Sequence, residues 1–223
     1  MKPLSDCRLY TFVDAAYLNG RPAADLARQL CDGGADLIQV RAKGLPLDEI
    51  RRLLDAVMPV ARDAGVWCVL NDEPELARER GVPWVHLGQE DFFEARALHR
   101  VSELWALHEI AAPIPPSPSV GLSSHAPEQA LRAVAAGADY VAVGPIFPTG
   151  TKPGRAAVTL EYVRWAAAHL TVPWFAIGGI HLGNLAAVFA AGTTRICVVS
   201  AILQAPDVAA ATREFRRRLD AGH

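Results

Sequence analysis

The stretch Tyr140–Lys152, YVAVGPIFPTGTK, gathers the residue types that hold a phosphate. It begins as an apolar run, breaks at Gly144-Pro145, and then presents Thr149, Gly150, Thr151 and Lys152 in succession. Backbone N–H groups, hydroxyls and a long-stemmed ammonium all stabilise anionic oxygen, so the segment reads as a buried strand opening into an anion-binding loop. The GxxxxGK spacing of a Walker A loop is absent. Other polar clusters also follow apolar runs. Gln39, Arg41 and Lys43 alternate and so point one way on an extended chain. Asn71-Asp72, Gly88-Gln89-Glu90-Asp91, Ser123-Ser124-His125, Gly178-Gly179 and Val199-Ser200 complete the set.

By chemistry these residues divide into two anion sites and one cation site. Gly178-Gly179 and the Val199-Ser200 turn suit a phosphate cradle, where backbone approaches closely and no side chain is needed. Arg41, Lys43 and Lys152 would neutralise a more highly charged group, such as a pyrophosphate. Asp72 and Asp91 supply two carboxylates with no accompanying His/Cys cluster, which suits Mg²⁺ bridged to substrate phosphates better than zinc. Two substrates are implied, one of them activated by a diphosphate leaving group. Singly, each residue has an ordinary structural reading: Arg41 and Lys43 as solvated cations, Asp72 and Asp91 as helix caps, Gly178-Gly179 as a tight turn. Their recurrence at one strand end after another argues against coincidence.

Those positions require a scaffold that brings strand ends together. Candidate strands cover Arg8–Val13, Leu37–Arg41, Trp67–Leu70, Trp84–Leu87, Val120–Ser123, Tyr140–Val143, Trp174–Ile177 and Arg195–Val199, with helical patterns between them such as Ala23–Cys31, Leu47–Asp63 and Pro127–Ala136. Eight β-then-α units predict an α/β fold, a (β/α)₈ TIM barrel forming a single domain over residues 1–223, with its active site at the C-terminal strand ends. An open doubly wound sheet is the alternative, but no GxGxxG follows the first strand. Pro113–Pro118, with prolines at 113, 115, 116 and 118, cannot continue a helix and reads as a loop lengthening the fourth helix-to-strand connection.

Composition sets the outer bounds. The 223 residues are 51% hydrophobic and 21% charged, enough for a large core. Lys+Arg 22 against Asp+Glu 24 gives a net charge of -2, so no general basic field points to nucleic acid, and an anionic small molecule must meet a local cluster. No apolar run approaches a membrane span, and Lys2, Asp6 and Arg8 interrupt any leader, so no membrane association is expected. The four cysteines are scattered without a CxxC pair, which predicts free thiols in a reducing cytoplasm. Nothing in the sequence specifies an oligomeric state.

The segments QVRAK, LND, VHLGQED, GLSSH, ADYVAVGPIFPTGTK, AIGGI and VVSAI, in this order, resemble thiamine-phosphate synthases from about Leu9 to Ala211. The resemblance implies a TIM barrel that joins hydroxymethylpyrimidine diphosphate to thiazole phosphate, giving thiamine phosphate and pyrophosphate. It assigns Arg41, Lys43, Asn71, Ser123 and Lys152 to the diphosphate and places Gln39 beside the pyrimidine. It makes Asp72 and Asp91 the Mg²⁺ ligands, and sets Thr149, Thr151, Gly179, Val199 and Ser200, with Gly178, around the thiazole phosphate. The implied mechanism is dissociative: pyrophosphate leaves, and the thiazole nitrogen captures a pyrimidine-stabilised carbocation.

The sequence departs from the family pattern at three places. Glu73 follows Asn71-Asp72 where an arginine is common, Thr159 stands where a glycine often opens the helix, and Pro113–Pro118 has no usual counterpart. Three other functions compete. A thiazole tautomerase of the same family also carries a histidine near His125, but has no leaving group and no need of Gln39, Arg41, Lys43, both aspartates and Lys152 together. A non-catalytic barrel that binds thiamine phosphate would be expected to have lost those ligands. A Schiff-base aldolase would want a desolvated lysine, whereas Lys43 and Lys152 have polar neighbours.

Overall fold

The structure, a computed structural model, describes residues 1–106, 117–150 and 157–222. Eight parallel strands close into a barrel in sequence order, β1 to β8, with β8 returning to β1. In order the elements are β1 (Leu9–Asp14), α1 (Ala23–Asp32), β2 (Leu37–Arg41), α2 (Leu47–Asp63), β3 (Trp67–Asn71), α3 (Pro74–Glu79) and β4 (Trp84–Leu87). A short π-helical turn, Glu90–Ala95, then precedes α4 (Val101–Ala106), β5 (Ser119–Ser124), α5 (Pro127–Ala135), β6 (Tyr140–Val143) and α6 (Thr159–His169). The chain ends with β7 (Trp174–Ile177), α7 (Leu185–Ala190), β8 (Ile196–Cys197), α8 (Ser200–Leu203) and α9 (Val208–Ala221). The expected (β/α)₈ architecture is the observed one.

The strands read as unbroken apolar runs because both of their faces are covered, by barrel interior on one side and helices on the other. All six residues of β1 are buried. Helices bury one stripe each: Leu26, Ala27 and Leu30 in α1, and Ile50, Leu54, Val57 and Ala61 in α2, at the spacing that places side chains on one face. Asp207 caps α9 by accepting from the Ala210 N–H at 2.8 Å. At the N-terminal end of the barrel, the carboxylate of Asp36 accepts from the N–H groups of Arg8 (2.6 Å) and Leu9 (3.0 Å) and from Arg216 (2.9 Å), fastening α9 to β1 and β2.

Four strands end elsewhere than the sequence reading placed them: β3 and β5 each run one residue further, to Asn71 and Ser124, and β1 and β8 differ for physical reasons. β1 runs to Asp14, one residue past the expected end, because Asp14 pairs in register with Arg41 of β2. β8 is only Ile196–Cys197, where Arg195–Val199 was expected, since Val199 (φ -113°, ψ -89°) already turns the chain into α8. Of the Pro113–Pro118 segment, residues 113–116 lie outside the described residues. No helix among the described residues is long and apolar enough to cross a membrane.

Candidate active site

In parallel strands closed into a barrel, alternate side chains point inward, and the last inward residue of each strand reaches the C-terminal mouth. These residues enclose one cavity. Gln39 and Arg41 of β2, Asn71 of β3, His86 of β4 and Ser123 of β5 form part of its wall. His125, Thr149, Gly178, Gly179, Val199 and Ser200, from the loops after β5 to β8, form the rest. Lys43, Asp72 and Asp91 are not among the lining residues, and the expected Thr151 and Lys152 lie outside the described residues.

The cationic wall is fixed from below. Arg41 donates from Nη1 to the Asp14 carboxylate at 2.6 Å, with the Asp14 side chain almost wholly buried. Asp14 in turn accepts from the Ala16 N–H at 3.0 Å, so the acid is itself held by a turn of backbone. The sequence reading passed over Asp14, although an acid opposite an arginine in paired strands is the signal that would have found it. Lys43, more exposed, pairs with Asp72 at 3.3 Å. Asp72 has φ of 63°, a left-handed conformation that non-glycine residues seldom adopt, and its N–H is tied to the His86 carbonyl at 2.9 Å. The carboxylate of Asp91 folds back over the end of β4, where a Cβ on Gly88 would meet its Oδ2 at 2.6 Å. Glu73, beside Asp72, has its carboxyl pushed above the usual range by burial, then by the charges of Asp72 and Glu75.

Beneath the cavity runs a line of hydrogen bonds that crosses the barrel interior. Gln39 Nε2 donates to the Tyr10 hydroxyl at 2.5 Å, and Tyr10 and Tyr140 share a bond of 3.0 Å. Tyr140 meets His86 Nδ1 at 3.0 Å, and His86 Nε2 meets Ser123 Oγ at 3.0 Å. All five side chains are buried. Burial raises both phenols well above the usual tyrosine value, so they remain neutral hydroxyls. Tyr10, His86 and Tyr140 carried no signal in the sequence reading, because aromatic residues inside apolar runs look like ordinary core.

Opposite the cations, the loops after β6 and β7 are docked backbone to backbone. Ile146 N–H bonds to the Ile177 carbonyl at 2.9 Å, and Phe147 N–H to the Gly178 carbonyl at 3.1 Å. A Cβ on Gly178 would lie 2.4 Å from Pro145 Cα, and one on Gly179 would lie 2.7 Å from Phe147 Cβ. The glycines of AIGGI are required by this contact as well as by their positive φ. His125 gives its Nδ1 proton to the Gly144 carbonyl, which sets the ring at the cavity edge.

Over residues 9–202 the chain matches the family described as thiamine monophosphate synthase. The chain belongs to that family. The thiamine-phosphate synthase of Thermus thermophilus is 45% identical over 196 residues, spanning 87% of this chain and 88% of its own. That of an Arthrobacter species is 41% identical over an alignment covering 98% and 97% of the two chains. Among solved structures, a thiamine phosphate pyrophosphorylase from Pyrococcus furiosus superposes with a TM-score of 0.82 at 28% identity, covering 98% of each chain. A 3-hexulose-6-phosphate synthase, at 23% identity and a TM-score of 0.61, shares the barrel alone. As a member of the thiamine monophosphate synthase family, the chain is an enzyme of the transferase class.

Proposed function

We propose that this enzyme joins hydroxymethylpyrimidine diphosphate to thiazole phosphate, releasing pyrophosphate and giving thiamine phosphate. The observation that supports this reading is the pairing, within one cavity, of an arginine-bearing wall on β2 with a glycine- and hydroxyl-rich wall from the loops after β6 to β8. The first suits a diphosphate and the second a phosphate monoester.

In this reading Arg41, Lys43, Lys152, Asn71 and Ser123 bind the diphosphate and stabilise the charge that builds as pyrophosphate departs. Gln39 lies beside the pyrimidine. Thr149, Thr151, Gly178, Gly179, Val199 and Ser200 hold the thiazole phosphate, so that the ring nitrogen faces the carbon losing its leaving group. The reaction is dissociative: the C–O bond to the diphosphate breaks first, and the neutral thiazole nitrogen supplies the electron pair of the new C–N bond. No general base is needed, because that nitrogen carries no proton to remove.

The donor set suits a Mg²⁺ ion shared between Asp72 and Asp91. Both are hard carboxylate donors, and no group of three or more His, Cys, Asp or Glu that could hold a metal occurs among the described residues. Most ligands of such an ion would be phosphate and water oxygens, as Mg²⁺ prefers, and when bound it offsets leaving-group charge. A cytoplasmic site of action accords with four cysteines that are all free thiols.

The test is a coupling assay. Protein is mixed with both substrates, with Mg²⁺ or with EDTA, and thiamine phosphate is read by oxidation to its fluorescent thiochrome form. Mg²⁺-dependent product is expected, with Asp72→Asn lowering turnover at least about a hundredfold. Folded protein that gives no product would move the assignment to thiazole tautomerisation, and failing that to a binding role.

A further inference from the structure

The five-residue line beneath the cavity has a direction. A phenol carries one proton, and a buried phenol that left it without an acceptor would lose a hydrogen bond, so a buried phenol with two hydrogen-bond partners donates to one and accepts from the other. Tyr10 accepts from the Gln39 amide N–H at 2.5 Å, so its own proton goes to Tyr140. Tyr140 therefore gives its proton to His86 Nδ1, which places the imidazole proton on Nε2. His86 then donates from Nε2 to Ser123 Oγ. Ser123 accepts in that bond, and no other hydrogen bond to its hydroxyl occurs among the described residues. Its own proton is thus left to point into the cavity that Ser123 lines.

Packing makes the route possible. His86, Gly121 and Tyr140 are lateral partners on β4, β5 and β6. With no side chain at Gly121, the Tyr140 ring lies across β5, its Cζ only 2.0 Å from where a Cβ on Gly121 would be. It reaches His86 and stacks on it, with ring centroids 5.6 Å apart.

We propose that Gln39, Tyr10, Tyr140 and His86 form a one-way hydrogen-bond relay that fixes Ser123 as a donor toward bound substrate, with Tyr10, Tyr140 and His86 as positioning residues. The proton order matters because a departing pyrophosphate presents only acceptors. A serine committed as a donor stabilises it, whereas a serine that gave its proton to His86 would turn a lone pair toward negative charge. The kinetic half of this proposal rests on the assignment of Ser123 to the diphosphate; the proton order itself does not.

Two measurements test it. First, ¹⁵N NMR of histidine-labelled wild-type protein, without substrate, reads the His86 tautomer, the ring being assigned by its NOEs to Tyr140. The expected result is a protonated Nε2 and an unprotonated, pyridine-like Nδ1. A proton on Nδ1 would mean the line runs the other way and would overturn the proposal, whatever the enzyme's reaction. Second, Tyr140→Phe removes the donor to Nδ1 without touching the cavity lining. It should reduce kcat/KM for the diphosphate substrate roughly three- to tenfold, leave KM for the thiazole phosphate unchanged, and convert His86 to a mixture of tautomers. In a Ser123→Ala background the same substitution should cost less than about twofold, since both act through one hydroxyl. Additive losses would sink the relay even if the coupling assay succeeds.

Discussion

Asp14 and Arg41 face each other at the ends of β1 and β2, and Arg41 Nη1 lies 2.6 Å from Asp14 Oδ2. The acid does two opposed things. It holds the guanidinium in one orientation, and it cancels part of the positive field that a diphosphate would meet. Asp14→Asn keeps an oxygen acceptor but removes the charge. Ground-state attraction for the diphosphate should rise, lowering its KM, while the loosened arginine lowers kcat by about tenfold. Steady-state kinetics with the thiazole phosphate saturating separates the two effects. A rise in KM with unchanged kcat would show that Asp14 does not orient Arg41.

Glu73 places a negative charge next to Asp72, and its carboxyl is raised by burial, then by Asp72 and Glu75. The sign follows from linkage. A carboxyl whose folded value lies above its unfolded value favours the folded state most at low pH, and that contribution is lost as pH rises through the folded value. Glu73→Gln should therefore leave stability unchanged below about pH 4 and raise it at neutral pH. Glu73 is partly exposed, so the gain is screened, less than about 2 °C in Tm. Glu73→Arg should in addition lower KM for the diphosphate severalfold, an effect that high salt diminishes.

Thr159 opens α6 at φ 64°, a left-handed conformation that is costly for a β-branched residue. Among the described residues its hydroxyl accepts a long bond of 3.3 Å from the Glu161 N–H. Thr159→Gly relieves the strain and should stabilise the fold by about 1 kcal/mol, after the entropy that glycine loses on folding. The measure is a urea midpoint shifted upward at constant m-value. A downward shift would mean the hydroxyl bond outweighs the strain.

Gly179→Ala tests the docking of the β6 and β7 loops. The added methyl meets Phe147 Cβ at 2.7 Å and the Pro148 carbonyl at 2.8 Å, at a residue with φ of 65°. It should cost roughly 2 kcal/mol of stability and raise KM for the thiazole phosphate by about tenfold or more, with a smaller effect on the diphosphate. Differential scanning calorimetry and two-substrate kinetics read the two parts.

The barrel was legible because strands buried on both faces leave apolar runs that turn residues punctuate, as in Trp84–Leu87 and Tyr140–Val143. The mouth was legible because Arg41, Asn71 and Ser123 are polar groups at the ends of such runs. Asp14 escaped notice because the first strand is one residue longer than its apolar run, leaving the acid to look like a turn residue. Tyr10, His86 and Tyr140 escaped for a different reason. When both faces of a strand are buried, alternation no longer marks which side chains point inward, so a polar interior line is indistinguishable from core until the strands are set in register. Asp72 and Asp91 were readable as acids, but nothing in their spacing marks the left-handed turn at one or the folding back over β4 at the other.

The empty side-chain position at Gly121 and the ring of Tyr140 amount to a single choice made at two sites. Alanine at 121 would collide with the phenol, and phenylalanine at 140 would still fill the gap but leave His86 without its hydroxyl partner. Among descendants of this sequence the two positions are therefore expected to change together or not at all. A large residue on β5 can be accepted only in lineages that have already given up the tyrosine on β6, and with it the bridge to His86.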